Sequence, residues 1–314
     1  MDVEFVHAGG DSLRATILSN VMLEQFRLQI PLTEIFTCTI RRMAEFIKEN
    51  RQKQQLIEDT NLILLKRGDD PQNNLFLIHS GNGEAEAFSD ISDNISAEVN
   101  IWGIRADRLI DFSPKNQTLE EIAGNYAQKI IRIQREGKVS LMGWCIGGSI
   151  AFETALQLEA SGREVGFFGM INSFAPDKKF WGEVPDFTIS SEKEEITKYP
   201  RFDDFIKEYK NFQTIGELWT KLINFYKKIN LTTDQMKKCV YDDMNRAIPN
   251  YNADNITALE IIYYINVLRT FDNVRALYVP KNKLKTQCYF FRATNEQAAN
   301  LSLWNQYCEK KYMS

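Results

Sequence analysis

The 314-residue chain is 44% apolar and 25% charged, an ordinary globular composition, and its length suggests about two domains. A formal net charge of −4 leaves no domain-wide basic surface, which argues against nucleic acid as a partner. There is no apolar run of ~18 residues to predict a membrane span, so no membrane partner is expected. Five widely spaced cysteines, Cys38, Cys145, Cys239, Cys288 and Cys308, suggest neither a disulfide framework nor a metal-ligand pair. With no secretory leader pattern at the N-terminus, a reducing, cytoplasmic location is the expectation.

In chain order, the first fifty residues form a small helical unit. Gly9 and Gly10 break the chain, Asp11 is an N-cap candidate, and Leu13, Ile17 and Val21 recur every four residues as one face of a helix requires. Ser12 then falls in the first turn of that helix, where capping is the ordinary role of a serine. Ile40, Met43 and Ile47 predict a second helix over 40–47, and the polar stretch 51–60 reads as a linker. Apolar runs at 62–66 and 75–78, parted by the turn cluster RGDDPQNN, predict two strands, and 100–105 a third. Thr118 to Glu121 spells a capping box before a helix whose Ile122, Tyr126, Ile130 and Ile131 share one face.

Next comes VSLMGWCIGG, residues 139–148, followed by an amphipathic stretch at 149–158 and a strand at 165–171. Strands alternating with helices predict an α/β fold with a mostly parallel sheet covered on both faces. The rhythm is lost from about 180 to 280, where helical patterns such as 205–224 and 257–268 carry interspersed aromatics. A helical insertion late in such a sheet reads as a lid, with a helical interaction domain as the alternative. A strand at 287–292 and a last helix through Trp304 close the pattern.

The stretch around Cys145 is strand, tight turn, helix, and its GxCxG has the spacing of the nucleophile elbow of α/β-hydrolases. Cysteine stands where serine is usual. A thiolate is the reactive species, and a helix N-terminus lowers a thiol pKa through its positive dipole end. The residue-level alternative is a buried cysteine in a glycine-rich turn.

Two resemblances extend this reading. GGDSL, followed by a helix and by PLTEIFTCTIRRMAEFI, resembles the second half of a peptidyl carrier domain of nonribosomal peptide synthetases. In that family the serine of this motif carries 4′-phosphopantetheine, and Ser12 is the matching residue. In order and spacing, LFLIHSGNGEAEAF, IWGIRAD, TLEEIAGNYAQKI, GWCIGGSIAFETALQL, MINSF and CYFFRATNEQ resemble a type I thioesterase domain at the end of such a synthetase. The resemblance divides the chain into a partial carrier domain at 1–50, a linker at 51–60 and an α/β-hydrolase thioesterase at 61–314 with a lid at about 180–280. It implies upstream synthetase modules, a phosphopantetheinyl transferase and an acyl or peptidyl thioester as partners.

The resemblance also assigns roles. Cys145 is the nucleophile, and the backbone N–H of Ile146 with one from the loop after the second strand, at Gly81, makes the oxyanion hole; a plain turn is the alternative for Gly81. Asn172 occupies the position of the family's aspartate, with Asp177 and Glu296 as substitutes. The chain has two histidines: His7 beside Ser12 reads as a solvated residue, and His79 falls in the oxyanion loop. The family's base lies in a GDH-like segment beyond a region resembling LWNQYC, so truncation at both ends is expected. The resulting expectation is a chain-terminating thioesterase that moves an acyl chain from Ser12 to Cys145 and releases it by hydrolysis or cyclisation. An impaired module that is acylated without turnover is the alternative, and a stand-alone editing thioesterase is disfavoured by the carrier segment.

Overall fold

The computed structural model describes residues 3–11, 14–15, 18–19, 22, 30, 32–50, 61–85, 88–106, 118–176, 188–236, 258–292, 301–311 and 313. The apolar runs become strands of one sheet: β1 (Leu62–Lys66), β2 (Asn74–Ile78), β3 (Asn100–Ile104), β4 (Val139–Trp144), β5 (Val165–Ile171) and β6 (Cys288–Phe291). Their spatial order is β1-β3-β2-β4-β5-β6. Only β1 runs antiparallel to its neighbour; the other described pairs are parallel. This is the α/β-hydrolase fold.

The helices are α1 (Leu32–Thr37), α2 (Ile40–Asn50), α3 (Ser89–Asp93), α4 (Leu119–Ile133), α5 (Ile146–Ala160), α6 (Ile189–Ile196), α7 (Phe202–Glu208), α8 (Ile215–Lys228) and α9 (Ala258–Leu277). Alternation along each strand sorts side chains to two cores. Phe76 and Ile78 join Leu141, Phe168 and the buried faces of α4 and α5, whereas Leu75 and Leu77 join Ile63, Leu65 and Ile101 on the other face. The capping box of α4 forms as spelled: Thr118 Oγ1 accepts from the Glu121 N–H at 3.2 Å, and Glu121 Oε2 accepts from the Thr118 N–H at 2.9 Å.

At the N-terminus the Asp11 carboxylate accepts from the Arg14 N–H at 2.8 Å, as an N-cap does. Ser12, Leu13, Ile17 and Val21 lie outside the described residues. Ala15, Met22, Ile30 and Ile35 are buried in the same core as Leu75 and Leu77, so this segment packs on the sheet. Ile40 corrects the expected apolar face of α2. It is the first helical residue and 65% exposed, while Met43 one turn on packs inward.

The insertion has a core of its own, built from Phe205, Trp219, Leu222, Tyr226, Ile261, Ile262 and Ile265. Its helices differ from the expected pattern. The single helix over 205–224 is two, because Tyr209 is extended and Thr214 caps α8 by accepting from the Glu217 N–H at 3.0 Å. The helix expected over 257–268 continues to Leu277 as α9, and its Val267, Phe271 and Val274 enter the sheet core. Residues 301–307 form a 3₁₀ segment rather than an α-helix. There the fully buried Trp304 lies on Phe152 and donates from Nε1 to the Ser173 carbonyl at 3.1 Å.

Candidate active site

The elbow is built by β4 and α5. Between Trp144 and Ile146, Cys145 has φ 55° and ψ −121°, a left-handed conformation that a side-chain-bearing residue adopts only when its surroundings enforce it. The enforcing contacts are present. The Cys145 N–H donates to the Ile171 carbonyl at 2.9 Å, and its carbonyl accepts from the Gly148 N–H at 3.1 Å and from Ser173 Oγ at 2.8 Å. Glycine is required around it: a Cβ on Gly147 would run into the backbone carbonyls of His79 and Ile78, and one on Gly148 into the Ser173 side chain. The Cys145 side chain is half-buried, and α5 has no acidic residue in its first turn to offset the positive dipole end beneath the thiol.

Asn172 sits beside this elbow. Strand register pairs Trp144 with Ile171, so the two residues that follow, Cys145 and Asn172, leave neighbouring strand ends together. Asn172 is also left-handed, with φ 45°, is 8% exposed, and donates its N–H to the Phe291 carbonyl at 2.9 Å. Two adjacent strand ends thus hold strained non-glycine residues.

Loop 79–85 supplies the third side. A Cβ built on Gly81 would lie 3.7 Å from Ile146 Cγ2, so the two expected oxyanion donors come from neighbouring segments. The loop is braced internally: Gly83 N–H donates to the Ser80 carbonyl at 3.0 Å, and Asn82 Oδ1 accepts from Ser80 Oγ at 2.7 Å and the Glu84 N–H at 3.1 Å. His79 is fully buried. Its Nδ1 lies 2.6 Å from the Ser80 carbonyl, which can only accept, so Nδ1 carries a proton and donates; its Nε2 lies 2.8 Å from Tyr126 Oη, which is also 3.3 Å from the Arg105 carbonyl. Packed at a tilt against Phe271, with 4.7 Å between ring centroids, this imidazole is a core group of the loop. His7 is 74% exposed and 3.5 Å from Glu4, as a solvated residue should be.

Cys145, Ile146, Gly81 and Asn172 are therefore brought together, whereas Ser12, Asp177 and Glu296 lie outside the described residues. Ser173 was not singled out in the sequence, although it anchors the elbow carbonyl and receives Trp304. Its signal was its place directly after Asn172 in MINSF. Elsewhere, Cys288 and Cys308 are buried with their sulfurs 2.9 Å apart. None of the four described cysteines forms a disulfide. The hydrogen bond to Cys308 and burial hold the Cys288 thiol well above the usual thiol range. Burial, with the Glu153 carboxylate that accepts its hydroxyl at 2.8 Å, likewise pushes the Tyr278 phenol up. Among the described residues there is no cluster of metal-ligating side chains and no helix long and apolar enough to cross a membrane.

The decisive comparison is with the thioesterase domain model, which matches residues 73–311. The chain belongs to the thioesterase domain family. The matched segment contains the elbow, the Gly81 loop and Asn172. This thioesterase is 29% identical over 191 residues to the dimodular nonribosomal peptide synthase of Bacillus subtilis (strain 168), a match that covers 59% of this chain and 8% of that protein. The chain therefore spans a small part of its relative's length. Among solved structures it is similar to a holo four-domain nonribosomal peptide synthetase bound to AMP and glycine, with TM-score 0.59, 23% identity, and coverage of 99% of this chain and 22% of that one. It is also similar to the Vlm2 thioesterase domain bound with a dodecadepsipeptide, with TM-score 0.50, 17% identity, and coverage of 80% and 86%. At these identities the structures share the fold with this thioesterase.

Proposed function

We propose that this thioesterase is the chain-releasing end of a nonribosomal peptide synthetase, with Cys145 as its covalent nucleophile. Residues 1–50 are the carrier-derived segment, 51–60 the linker and 61–314 the thioesterase. A phosphopantetheinyl transferase places 4′-phosphopantetheine on Ser12, and upstream modules deliver an acyl or peptidyl thioester to it.

The observation that carries the reading is the left-handed Cys145 at the β4–α5 junction, with the Gly81 loop close enough that a Cβ added to Gly81 would lie 3.7 Å from Ile146 Cγ2. That conformation lifts the thiol above the sheet end at the positive end of α5. In the first step the Cys145 thiolate attacks the thioester carbonyl and the negative charge moves to oxygen, where the Ile146 and Gly81 N–H groups receive it. The tetrahedral intermediate collapses, the carbon–sulfur bond to pantetheine breaks, and the pantetheine thiolate leaves and takes a proton. The acyl chain is then a thioester of Cys145. Water or an internal amine or hydroxyl of the chain attacks it and restores the thiol. Asn172, at the adjacent strand end, stands where the family has its acid; an amide there can orient a base but cannot charge it or replace it.

A second reading is favoured by one observation. Of the two histidines, His7 is exposed and His79 spends both ring nitrogens in the core, so neither offers a base to Cys145. On this reading Cys145 is acylated and the acyl-enzyme persists. Both readings are tested by loading the chain with an acyl-pantetheine on Ser12 and following the acyl mass between the Ser12 and Cys145 peptides. Transfer followed by release supports the first reading, and transfer without release the second. Retention on Ser12, equal in wild type and Cys145→Ala, contradicts both.

A further inference from the structure

Three residues of the lid helix α9 meet the oxyanion loop. Phe271 packs on His79, and Leu268 Cδ1 lies 2.9 Å from the position a Cβ would take on Gly81. One turn earlier, Tyr264 Oη donates to Glu84 Oε1 at 2.9 Å. Positions 264, 268 and 271 follow the i, i+4, i+7 spacing of one helix face, so a single face of α9 covers the loop from His79 to Glu84. Glu84 is 8% exposed, and its other oxygen lies 3.3 Å from Arg105 Nε. The neighbouring Ala106 N–H donates to the Gly83 carbonyl at 2.9 Å, so the end of β3 holds the loop from below.

These contacts join two cores. Ile261, Ile262 and Ile265 of α9 belong to the lid core, and Val267, Phe271 and Val274 to the sheet core. Tyr264 and Leu268 also belong to the lid core and are the members of it that meet the loop. The acyl-transfer chemistry makes no direct use of Glu84, yet a buried carboxylate is retained in the loop that presents Gly81, with a guanidinium on one side and a lid phenol on the other. Carboxylates are seldom buried without such partners.

We infer that Tyr264 and Glu84 are positioning residues that tether the oxyanion loop to the lid helix, so that the Gly81 N–H is in place for the tetrahedral intermediate only while α9 is seated. This rests on the acyl-transfer reading of Cys145. An oxyanion donor acts only within hydrogen-bond distance of the developing charge, so a small loop displacement removes its contribution. Tyr264→Phe keeps the ring and deletes the tether.

The test compares two reactions of Cys145 in the full chain, each followed by intact mass. Acylation by an acyl-pantetheine thioester passes through an oxyanion. Alkylation by iodoacetamide displaces iodide at a saturated carbon and needs the thiolate alone. In Tyr264→Phe, acylation is expected to fall about tenfold, a fraction of what losing a whole oxyanion donor costs, with alkylation within about twofold of wild type. Glu84→Gln, which still accepts the phenol, is expected to lie between Tyr264→Phe and wild type. Amide hydrogen exchange over 80–84 is expected to quicken in Tyr264→Phe. Unchanged acylation, or a parallel fall of both reactions, overturns the inference. If wild-type Cys145 is alkylated but never acylated, the acyl-transfer reading is the one that has failed. Exchange then decides the tether: faster exchange confined to the loop supports it, and unchanged exchange overturns it.

Discussion

Replacing Gly147 with alanine asks how much the elbow depends on close approach to the oxyanion loop. The added methyl would overlap the His79 and Ile78 carbonyl oxygens, which are backbone atoms with no rotamer to escape into. His79 cannot retreat easily, because its ring is held by the Ser80 carbonyl, the Tyr126 hydroxyl and the Phe271 ring. The first turn of α5 must therefore move away from the loop, carrying the Ile146 N–H away from Gly81. Overpacking of this kind costs up to about 3 kcal/mol. Gly→Ala also stabilises by about 0.4–1 kcal/mol through the unfolded chain, which leaves a net loss of about 2 kcal/mol. Gly124→Ala is the matched control, since its methyl would lie 3.0 Å from Gln157 Oε1, the far end of a flexible side chain, within α4. That variant is expected to be neutral or more stable by about 0.5–1 kcal/mol. Urea unfolding measures both, and acylation of Cys145 should fall about a hundredfold in Gly147→Ala alone if one oxyanion donor is lost. Equal stability and equal acylation in the two variants would refute the close-approach reasoning.

The lid should respond to its buried carboxylate. Glu192 is fully buried and accepts from Trp219 Nε1 at 2.9 Å and Arg269 Nη2 at 2.6 Å, while Arg269 keeps Glu195 at 2.9 Å. Glu192→Ala strands the indole N–H and is expected to destabilise the lid by about 3 kcal/mol, whereas Glu192→Gln, which retains an acceptor, should cost about 1–2 kcal/mol. Tryptophan fluorescence through urea unfolding checks the order, and equal costs would deny the indole hydrogen bond its role. On the proposed route through an acyl-Cys145, thioester-to-thioester exchange leaves the acyl group activated. Cys145→Ser is therefore expected to lower the ratio of amine-captured to hydrolysed product from a substrate with an internal amine, and an unchanged ratio by chromatography would contradict this.

Much of the site was legible because its signals are local. A strand ending in Gly143, a cysteine between small residues and a helix behind it define an elbow from ten consecutive positions, and the Thr118 capping box needs only four. Register then accounts for Asn172, since parallel pairing of β4 with β5 places it beside Cys145. What was not legible depends on packing between distant segments. The helix α9 is apolar on several faces because it is buried in both the lid and the sheet cores, so no polar stripe marks which face meets the loop. Tyr264 and Glu84 are 180 positions apart, and neither stands in a motif. Ser173 and Trp304 are 131 apart, and Trp304 read only as part of a final helix. The division of the expected 205–224 helix turned on Thr214, a cap signal overridden by the apolar spacing on either side.

The most direct test of Cys145 as the nucleophile is to expose the chain to an acyl-pantetheine thioester and map the acyl group by peptide mass. Acyl mass on Cys145, absent in Cys145→Ala and absent from Cys38, Cys239, Cys288 and Cys308, is the expected result. Acylation spread over the other cysteines, or a chain that stays unmodified while Cys145 is readily alkylated, would contradict it.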